Sequence, residues 1–525
     1  MKLTQEGLKD AAAWEAKGYA IPQYDRKAVA EKTKNTPKWI HFGAGNIFRA
    51  FLSKVMQDLL DQKLCDTGII VAEGFDYEII QKAYQPFDNY SILATLKADG
   101  AIEKTVIGSV TESIILDHDQ KEQFDRAKEI FRAPSLQMAS FTITEKGYSL
   151  TNAGGQTLPD LAEDFVNGPG EAKSYLGKIA ALLYERFLCQ ELPIAMVSMD
   201  NCSKNGEKLQ RAIQGVATQW VSHGLVSDQF LAYINDPNKV SFPFTMIDKI
   251  TPRPDAKVMA HLKDDQIEGT EPVITSKNTY IACFVNAEES QYLVVEDLFP
   301  NGKLPLENAG IIYTNQEMVS KVERMKVCTC LNPLHTALAV YGCLLGYELI
   351  CEEMQEPHLR RMVERIGYQE GLPVVTDPGI IKPSDFLNEV LTVRIPNPFM
   401  PDSPQRIATD TSQKLSIRFG ETIKAYQASE ELNVSDLKMI PLVFAGWLRY
   451  LLCIDDQGNA FTPSSDPMLE TLLPIMSQIR IGEMGSTEET TQILTPILQN
   501  EKIFGVDLCE AGLAPLVIAY FEKMA

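Results

Sequence analysis

A lysine, an asparagine and a histidine stand close together in the stretch Lys326-Val-Cys-Thr-Cys-Leu-Asn332-Pro-Leu-His335. The chain has six histidines, and His335 is the one that lies in a polar cluster of this kind. A lysine near apolar residues can lose its proton near neutral pH, because desolvation disfavours its charged form. Such an amine can accept a proton from an alcohol, while amide and imidazole donors stabilise the resulting oxyanion. These residue types predict one half of a dehydrogenase site.

Zinc is the alternative for this stretch, with Cys328, Cys330 and His335 as ligands. No second ligand pair has the spacing that is usual for zinc sites, and cysteine is common as a small buried hydrophobic residue. The ten cysteines of the chain include no Cys-x-x-Cys pair. We therefore expect reduced thiols and a site that works without a metal.

A glycine turn near the N-terminus predicts the other half of the site. Gly43-Ala-Gly45 follows the short apolar run Trp39-Ile-His-Phe42 and precedes apolar residues with a helical period. In a dinucleotide-binding turn the first glycine permits the tight bend, and the second lets a pyrophosphate approach a helix N-terminus. Phe48 stands where the third glycine usually is, so a glycine pair that merely ends a strand is the alternative. The expected cofactor contacts are Gly43, Gly45, Asn46 and Arg49, the last near the phosphates.

An acidic residue after the second strand, Gly68-Ile-Ile-Val-Ala-Glu73, is expected to bind the adenosine ribose. Glu73 and Asp76 are the two candidates. A carboxylate at this place favours NAD over NADP because it repels the extra phosphate, although NADP stays possible. The alternative is that both residues simply cap a solvated strand end.

The elements around these motifs predict an α/β fold, with an N-terminal Rossmann-type doubly wound sheet and a mostly α-helical C-terminal domain. We expect residues 1–305 to form the dinucleotide-binding domain with an N-terminal arm, and residues 306–525 the helical catalytic domain. The active site would then lie in the cleft between the two domains. The expected strands are Trp39–Phe42, Gly68–Glu73, Tyr90–Leu96, Thr105–Ile114, Met138–Thr144, Pro193–Met199, Val273–Phe284 and Gln291–Val295.

Length and charge limit the classes of function. With 525 residues, the chain is too long for one ordinary core. Its net charge of −21 disfavours nucleic acid and anionic membrane surfaces as partners. The apolar helix from Thr336 to about Ile350 is short and carries Glu348, so it is expected in the core rather than in a membrane. We see no signal peptide and expect a cytoplasmic protein with a small-molecule substrate; the sequence does not indicate the oligomeric state.

A set of motifs in fixed order resembles a known family, the long-chain polyol dehydrogenases or mannitol dehydrogenase family with its hexuronate reductases. The likeness spans roughly residues 38–510. The motifs are Gly43-x-Gly45-x-x-x-Arg49, Thr144-Glu-Lys-Gly-Tyr148, Asp200-Asn201 with Asn205-Gly206, Phe242-Pro243 with Met246-x-Asp248, Glu323-x-x-Lys326 with Asn332-x-x-His335, Asn397-Pro398, Arg406-Ile-Ala-Thr-Asp410 and Lys414.

The resemblance implies a role for each matching residue and a metal-independent mechanism. It implies that Lys326 is the general acid and base, and that the amides of Asn201 and Asn332 hold the reacting oxygen. The remaining implied roles are substrate orientation by His335, proton relay or gating by Glu323, and substrate binding by Arg406, Lys414 and Asp248.

The family usually has one residue fewer between this lysine and the asparagine. That spacing would place Val327 at the lysine position. The Glu323-x-x-Lys326 spacing favours Lys326 instead and predicts a small bulge that absorbs the extra residue.

These features favour an NAD-dependent hexuronate reductase that interconverts D-fructuronate and D-mannonate. Tagaturonate/altronate reduction and mannitol/fructose oxidoreduction are close alternatives, because they differ only in stereochemistry or in the terminal group. A hydroxyacid or sugar-phosphate dehydrogenase of similar architecture is a further alternative. A catalytically inactive NAD-binding sensor is the alternative from another class.

Overall fold

The computed structural model describes residues 1–482 and 485–525. The chain forms two compact units: Met1–Lys97 with Ala101–Ser320, and Ala98–Gly100 with Lys321–Ala525. We call them the N-terminal and the C-terminal unit. The domain boundary near residue 305 stays a prediction; the compact units change over inside the helix Gln316–Met325.

A six-stranded parallel sheet forms the centre of the N-terminal unit. If its strands are numbered along the chain, their spatial order is 3-2-1-4-5-6, which is the Rossmann order. The strands in spatial order are Val110–Ile115, Ile69–Glu73, Trp39–Phe42, Met138–Phe141, Ile194–Ser198 and Val240–Ser241. All neighbouring pairs are parallel.

Helices cover both faces of this sheet, which explains why its central strands are buried at every position. Ile40 and Phe42 face a core that they share with the helices Tyr175–Leu188 and Asn205–Ser222. Trp39 points to the other face, where the helix Ser53–Asp61 packs. The predicted doubly wound α/β fold is confirmed. It brings the carboxyl ends of all six strands to one edge, where α/β sheets bind their ligands.

Two predicted strands are wrong in detail. The run Thr105–Ile114 forms two strands, Ile102–Ile107 and Val110–Ile115, which belong to different sheets and are separated at Gly108. The run Val273–Phe284 is divided among Val273–Ile274, Tyr280–Ile281 and Phe284–Glu288. Apolar content alone does not reveal where a chain leaves one sheet for another.

The smaller sheets of the N-terminal unit flank these elements. A four-stranded sheet has, in spatial order, the strands Tyr19–Ala20, Ile102–Ile107, Ser91–Leu96 and Phe284–Glu288. A three-stranded sheet has Thr245–Asp248, Tyr292–Glu296 and Ile312–Thr314. A two-stranded sheet pairs Val273–Ile274 with Tyr280–Ile281. The helices are Ala11–Ala16, Arg26–Asn35, Ser53–Asp61, Lys121–Arg132, Pro159–Asn167, Tyr175–Leu188, Asn205–Ser222, Asp228–Asn235 and Ala256–Asp264, with π turns at Phe48–Leu52 and Ile80–Tyr84.

The C-terminal unit is helical, and its described residues include no strand. Helix Met439–Tyr450 lies in its core, where Phe444 and Trp447 pack edge-on against Phe504. The other helices are Asn332–Leu345, Ile350–Glu353, Pro357–Glu364, Pro383–Glu389, Pro404–Ile407, Glu421–Ala428, Leu469–Met476, Thr487–Leu498, Glu501–Phe504 and Ala514–Met524. The π turns are Lys326–Cys330, Arg365–Gly371, Val390–Arg394 and Ser416–Gly420.

The helical stretch Gln316–Leu345 is long and apolar enough to cross a membrane by length and composition. However, 72% of its most apolar window is buried inside the protein. That burial is what a core helix shows, as predicted. The helix ends at Leu345 before Gly346, however, so the predicted end near Ile350 is wrong and Glu348 lies outside it.

Candidate active site

The glycine turn has the geometry that a dinucleotide needs. Gly43 has a φ of 105°, and a Cβ there would lie 2.2 Å from the backbone oxygen of Thr142, so only glycine fits. A Cβ on Gly45 would meet no atom within 4 Å, because it would point into open space. The next residue, Asn46, is half-buried and begins the helix. An open approach to backbone at a helix start fits the pyrophosphate of a dinucleotide.

Glu73 is buried beneath this turn instead of lying open on the strand end. Its carboxylate accepts hydrogen bonds from the backbone amides of Ala44 at 2.8 Å, Phe75 at 2.8 Å and Asp76 at 3.1 Å. Burial raises the pKa of Glu73, and the three amides counteract only part of that rise. Glu73 thus braces the glycine turn against the loop that follows the second strand.

The other two predicted cofactor contacts also lie inside the unit. Asp76 is buried and accepts a hydrogen bond from the Thr275 hydroxyl at 2.6 Å. The Arg49 guanidinium is 1% exposed, donates to the Ala282 carbonyl at 2.8 Å and lies 5.6 Å from the centre of the Tyr84 ring. Burial lowers the pKa of Arg49. Their contacts with ribose and phosphate stay predictions, since both side chains already have internal partners.

Asn201 lies on a cavity of about 300 Å³ at the carboxyl edge of the sheet. Asn201 is exposed at the rim of this cavity. Ile47, from the helix that follows the glycine turn, forms another part of the wall. The lining residues are Ile47, Thr144, Glu145, Met199, Asp200, Asn201, Ile247, Lys249 and Thr251. The N-terminal unit therefore brings Asn201 and the helix that follows the glycine turn to one cavity.

The residue that organises this cavity, Asp200, was missed as a site residue. Its carboxylate accepts the backbone amides of Ile143 at 3.0 Å and Thr144 at 2.9 Å, and the hydroxyl of Tyr148 at 2.5 Å. Thr144 has a φ of 64°, an unusual conformation that these bonds hold in place. The signal was present, since the motifs Thr144–Tyr148 and Asp200-Asn201 are the two sides of this network.

The motif around Asp248 has a structural basis of the same kind. Asp248 ends the strand Thr245–Asp248, pairs with Tyr292 across the sheet and is buried. At the start of that strand the Asn205 side chain donates to both the backbone and the hydroxyl oxygen of Thr245, at 3.0 and 2.8 Å. These bonds fix the strand whose next residues, Ile247 and Lys249, line the cavity.

In the C-terminal unit, a π turn holds the predicted general acid and base. Lys326 opens the turn Lys326–Cys330, is 4% exposed, and its carbonyl accepts the amide of Leu331 at 3.1 Å. A π turn accommodates an extra residue within a helix and is frequent at functional sites. The predicted bulge between Lys326 and Asn332 is therefore confirmed. Glu323 lies three residues earlier on the same helix and is half-buried.

Asn332 begins the next helix, and the first turn of that helix carries His335. His335 Nε2 lies 3.2 Å from one carboxylate oxygen of Asp402, and Arg406 contacts the other oxygen. Burial alone would raise the pKa of Asp402, but the contacts with His335 and Arg406 outweigh it and lower that pKa. Asp402, which the sequence interpretation did not single out, thus orients the imidazole.

The other predicted basic residue, Lys414, lies beside a third cation, Arg418. The Lys414 ammonium donates to the backbone carbonyls of Thr409 and, at 3.4 Å, of Ile407. Burial lowers the pKa of Lys414, and the positive charges of Arg418 and Arg406 lower it further. The C-terminal unit thus collects three cations near the helix that bears Asn332 and His335.

The cysteines of the π turn are packed as apolar residues. Burial raises the pKa of Cys328 to about 11 and of Cys330 to about 12. Residues 1–482 and 485–525 contain no group of three or more His, Cys, Asp or Glu side chains placed to hold a metal ion. The zinc ligand set proposed as an alternative, Cys328 and Cys330 with His335, does not converge in this part of the chain.

Two family models match the chain. Residues 37–308 match the model described as mannitol dehydrogenase Rossmann domain, and residues 318–524 match the mannitol dehydrogenase C-terminal domain. The D-mannonate oxidoreductase of Thermotoga maritima is 52% identical over 100% of this chain and 96% of that protein.

Solved structures share the fold. A D-sorbitol dehydrogenase in its substrate-free form has a TM-score of 0.76 at 21% identity and covers 97% of this chain and 96% of its own. The Pseudomonas fluorescens mannitol 2-dehydrogenase, in a ternary complex with NAD and D-mannitol, has a TM-score of 0.68 at 24% identity. That match covers 100% of this chain and 96% of the other. At these identities the two structures show a shared fold and nothing further about this chain.

Proposed function

Because the chain belongs to the mannitol dehydrogenase family, we propose that it is an NAD-dependent hexuronate reductase that interconverts D-fructuronate and D-mannonate. The observation that carries this proposal is the 52% identity to a D-mannonate oxidoreductase along the whole chain. The two assigned domains account for nearly all of that length.

The residues of the N-terminal unit fit the dinucleotide. Gly43 permits the tight turn, Gly45 leaves backbone open to the pyrophosphate, and the cavity beside Ile47 and Asn201 is proposed to receive the nicotinamide end. When bound, NADH supplies the hydride. The buried carboxylates of Glu73 and Asp76 support NAD over NADP, since a 2′-phosphate near them would be repelled.

Proton transfer is assigned to Lys326. Reduction of the keto carbon leaves an alkoxide, and the Lys326 ammonium donates the proton that makes it an alcohol. Asn332 and Asn201 are proposed to donate amide hydrogen bonds to that oxygen, and removal of one such donor typically costs about 3 kcal/mol. In the reverse direction the neutral amine takes the proton from the alcohol, with Glu323 as the proposed relay toward solvent.

Substrate binding is assigned to the polar residues of the C-terminal unit and to Asp248. His335, held by Asp402, presents a fixed ring edge to a hydroxyl group. Arg406 and Lys414 supply positive charge for the far end of the substrate. A cationic end suits a sugar acid better than a neutral polyol, since a guanidinium can grip a carboxylate at two points.

A panel of ketoses tests the proposal. Purified enzyme is assayed with D-fructuronate, D-tagaturonate and D-fructose, each with NADH and with NADPH, by following the absorbance of the reduced cofactor. We expect the highest kcat/KM with D-fructuronate and NADH. Faster turnover of D-tagaturonate or D-fructose would assign the altronate or mannitol reaction instead, and NADH binding without any turnover would indicate a sensor.

Cytoplasmic localisation is part of the proposal. No disulfide joins any of the ten cysteines, and burial raises the pKa of eight of them. Ten cysteines without a disulfide are typical of a reducing compartment. The proposed partners are small molecules only.

A further inference from the structure

Arg418 reaches the turn that carries the proposed catalytic amide. It lies in the π turn Ser416–Gly420, and its Nη1 donates to the hydroxyl oxygen of Thr336. The same hydroxyl donates to the backbone carbonyl of Asn332 at 2.9 Å. The guanidinium therefore lies against the first turn of the helix Asn332–Leu345, one residue beyond His335.

No acidic side chain neutralises Arg418 within the described residues. Its side chain makes one hydrogen bond to these residues, the one to Thr336, and burial lowers its pKa to about 10. Burial lowers the pKa of Arg186 to about 10 as well, but Arg186 donates to the carbonyls of Phe131, Ala133, Leu136 and Pro193. Arg186 is a structural arginine with a full set of acceptors, whereas most donors of the half-buried Arg418 side chain have no acceptor among the described residues.

The other two cations of this region are already engaged. Arg406 contacts Asp402, and its side chain is 60% exposed. Lys414 donates to backbone carbonyls, and the carboxylates of Asp410 and Asp466 act on its charge. Lys414 and Arg418 are adjacent along one turn, since the Arg418 amide donates to the Lys414 carbonyl at 3.0 Å. A half-buried guanidinium beside a second cation is electrostatically unfavourable until an anion binds.

We propose that Arg418 binds the carboxylate of the sugar acid, through two parallel N–H···O bonds, and sets the preference for keto-uronates over neutral ketoses. This inference rests on the proposed function. Lys414 and Arg406 add positive charge near the same carboxylate, and Arg406 also contacts Asp402, which holds His335. Thr336 fixes the plane of the guanidinium, so that the carboxylate is held at a defined position relative to Asn332.

The test compares D-fructuronate with D-fructose, which differ in the terminal group. The ratio of their kcat/KM values is measured with NADH for the full-length wild type and for Arg418→Met. A charge-assisted pair of hydrogen bonds predicts a fall in this ratio of about 10- to 100-fold. Arg360→Met is the matched control, because Arg360 is an exposed arginine paired with Glu364, and it should leave the ratio unchanged. The dissociation constant of NADH is measured in parallel.

Each outcome separates the two ideas. If the wild type prefers D-fructuronate and Arg418→Met keeps that preference, the Arg418 assignment is wrong and the proposed function stands. A weakened NADH affinity with an unchanged ratio would also overturn the assignment. If the wild type prefers D-fructose, the proposed function fails and this inference fails with it. If Arg418→Met does not fold, Arg418→Lys is tested instead, because it keeps the positive charge but cannot make the two-point contact. A ratio of kcat/KM values lowered at least threefold then supports the proposal, and an unchanged ratio refutes it.

Discussion

Glu353 makes the stability of the C-terminal unit depend on pH in an unusual direction. Its side chain is 0% exposed, and neither carboxyl oxygen has a hydrogen-bond partner among the described residues. The carboxyl packs against Gly342, where a Cβ would lie 2.2 Å from Oε1. Burial raises the pKa of Glu353 from 4.5 to about 9. At neutral pH the folded protein therefore keeps this proton, whereas the unfolded chain releases it.

The sign and size of the effect follow from that difference. Since the folded state binds the extra proton, the free energy of unfolding falls as pH rises between 4.5 and about 9. Each pH unit in this window removes about 1.36 kcal/mol, so the loss from pH 6 to pH 8 is about 2.7 kcal/mol. Glu353→Gln has nothing to titrate and lacks this loss. The advantage of the variant over the wild type should thus grow by about 2.7 kcal/mol from pH 6 to pH 8, whatever constant cost the buried amide adds.

Urea unfolding at pH 6, 7 and 8, followed by tryptophan fluorescence and circular dichroism, measures this difference. The neighbouring Glu352→Gln is the control, because Glu352 is exposed. Its substitution should change the free energy of unfolding by the same amount at pH 6 and at pH 8. If the difference in the free energy of unfolding between Glu353→Gln and the wild type is the same at all three pH values, Glu353 does not carry a buried proton and the reasoning is refuted.

Two further predictions concern the site. Gly43→Ala should lower the Tm, because its Cβ would collide with the Thr142 carbonyl. Gly45→Ala should leave the Tm unchanged but weaken the binding of NADH at least about tenfold, since its Cβ enters the space left for the cofactor. The affinity for NADH is measured by fluorescence titration. If neither variant binds NADH more weakly than the wild type, the cofactor does not bind at this turn. Lys326→Met should lower kcat at least about 100-fold with NADH affinity kept, as for loss of a general acid; near-normal turnover would disprove its role.

Much of the fold was predictable because its signals are local. A glycine pair after an apolar strand, followed by an amphipathic helix, is a short-range pattern, and the structure has that turn with Gly43 at a positive φ. The π turn at Lys326 was also foreseeable, since one extra residue between two fixed helical positions has to be absorbed somewhere.

Contacts between distant segments were not predictable in the same way. Asp402 holds His335 across 67 positions of sequence, and Arg418 contacts Thr336 across 82 positions. No periodicity links such positions, so neither Asp402 nor Arg418 stood out in the sequence. Glu73 shows the opposite error: its place after the strand was foreseen, but not that backbone amides would occupy its carboxylate.

The three amide bonds of Glu73 have a consequence for redesigning coenzyme preference. The obvious substitution for accepting a 2′-phosphate, a neutral or basic residue at this acidic position, would also free the amide of Ala44 and loosen the bend that begins at Gly43. Specificity and architecture are joined in one side chain here. An engineer would do better to keep Glu73 and vary Phe75, whose ring is 65% exposed on the same loop and lies against the exposed Lys277 ammonium rather than in the core.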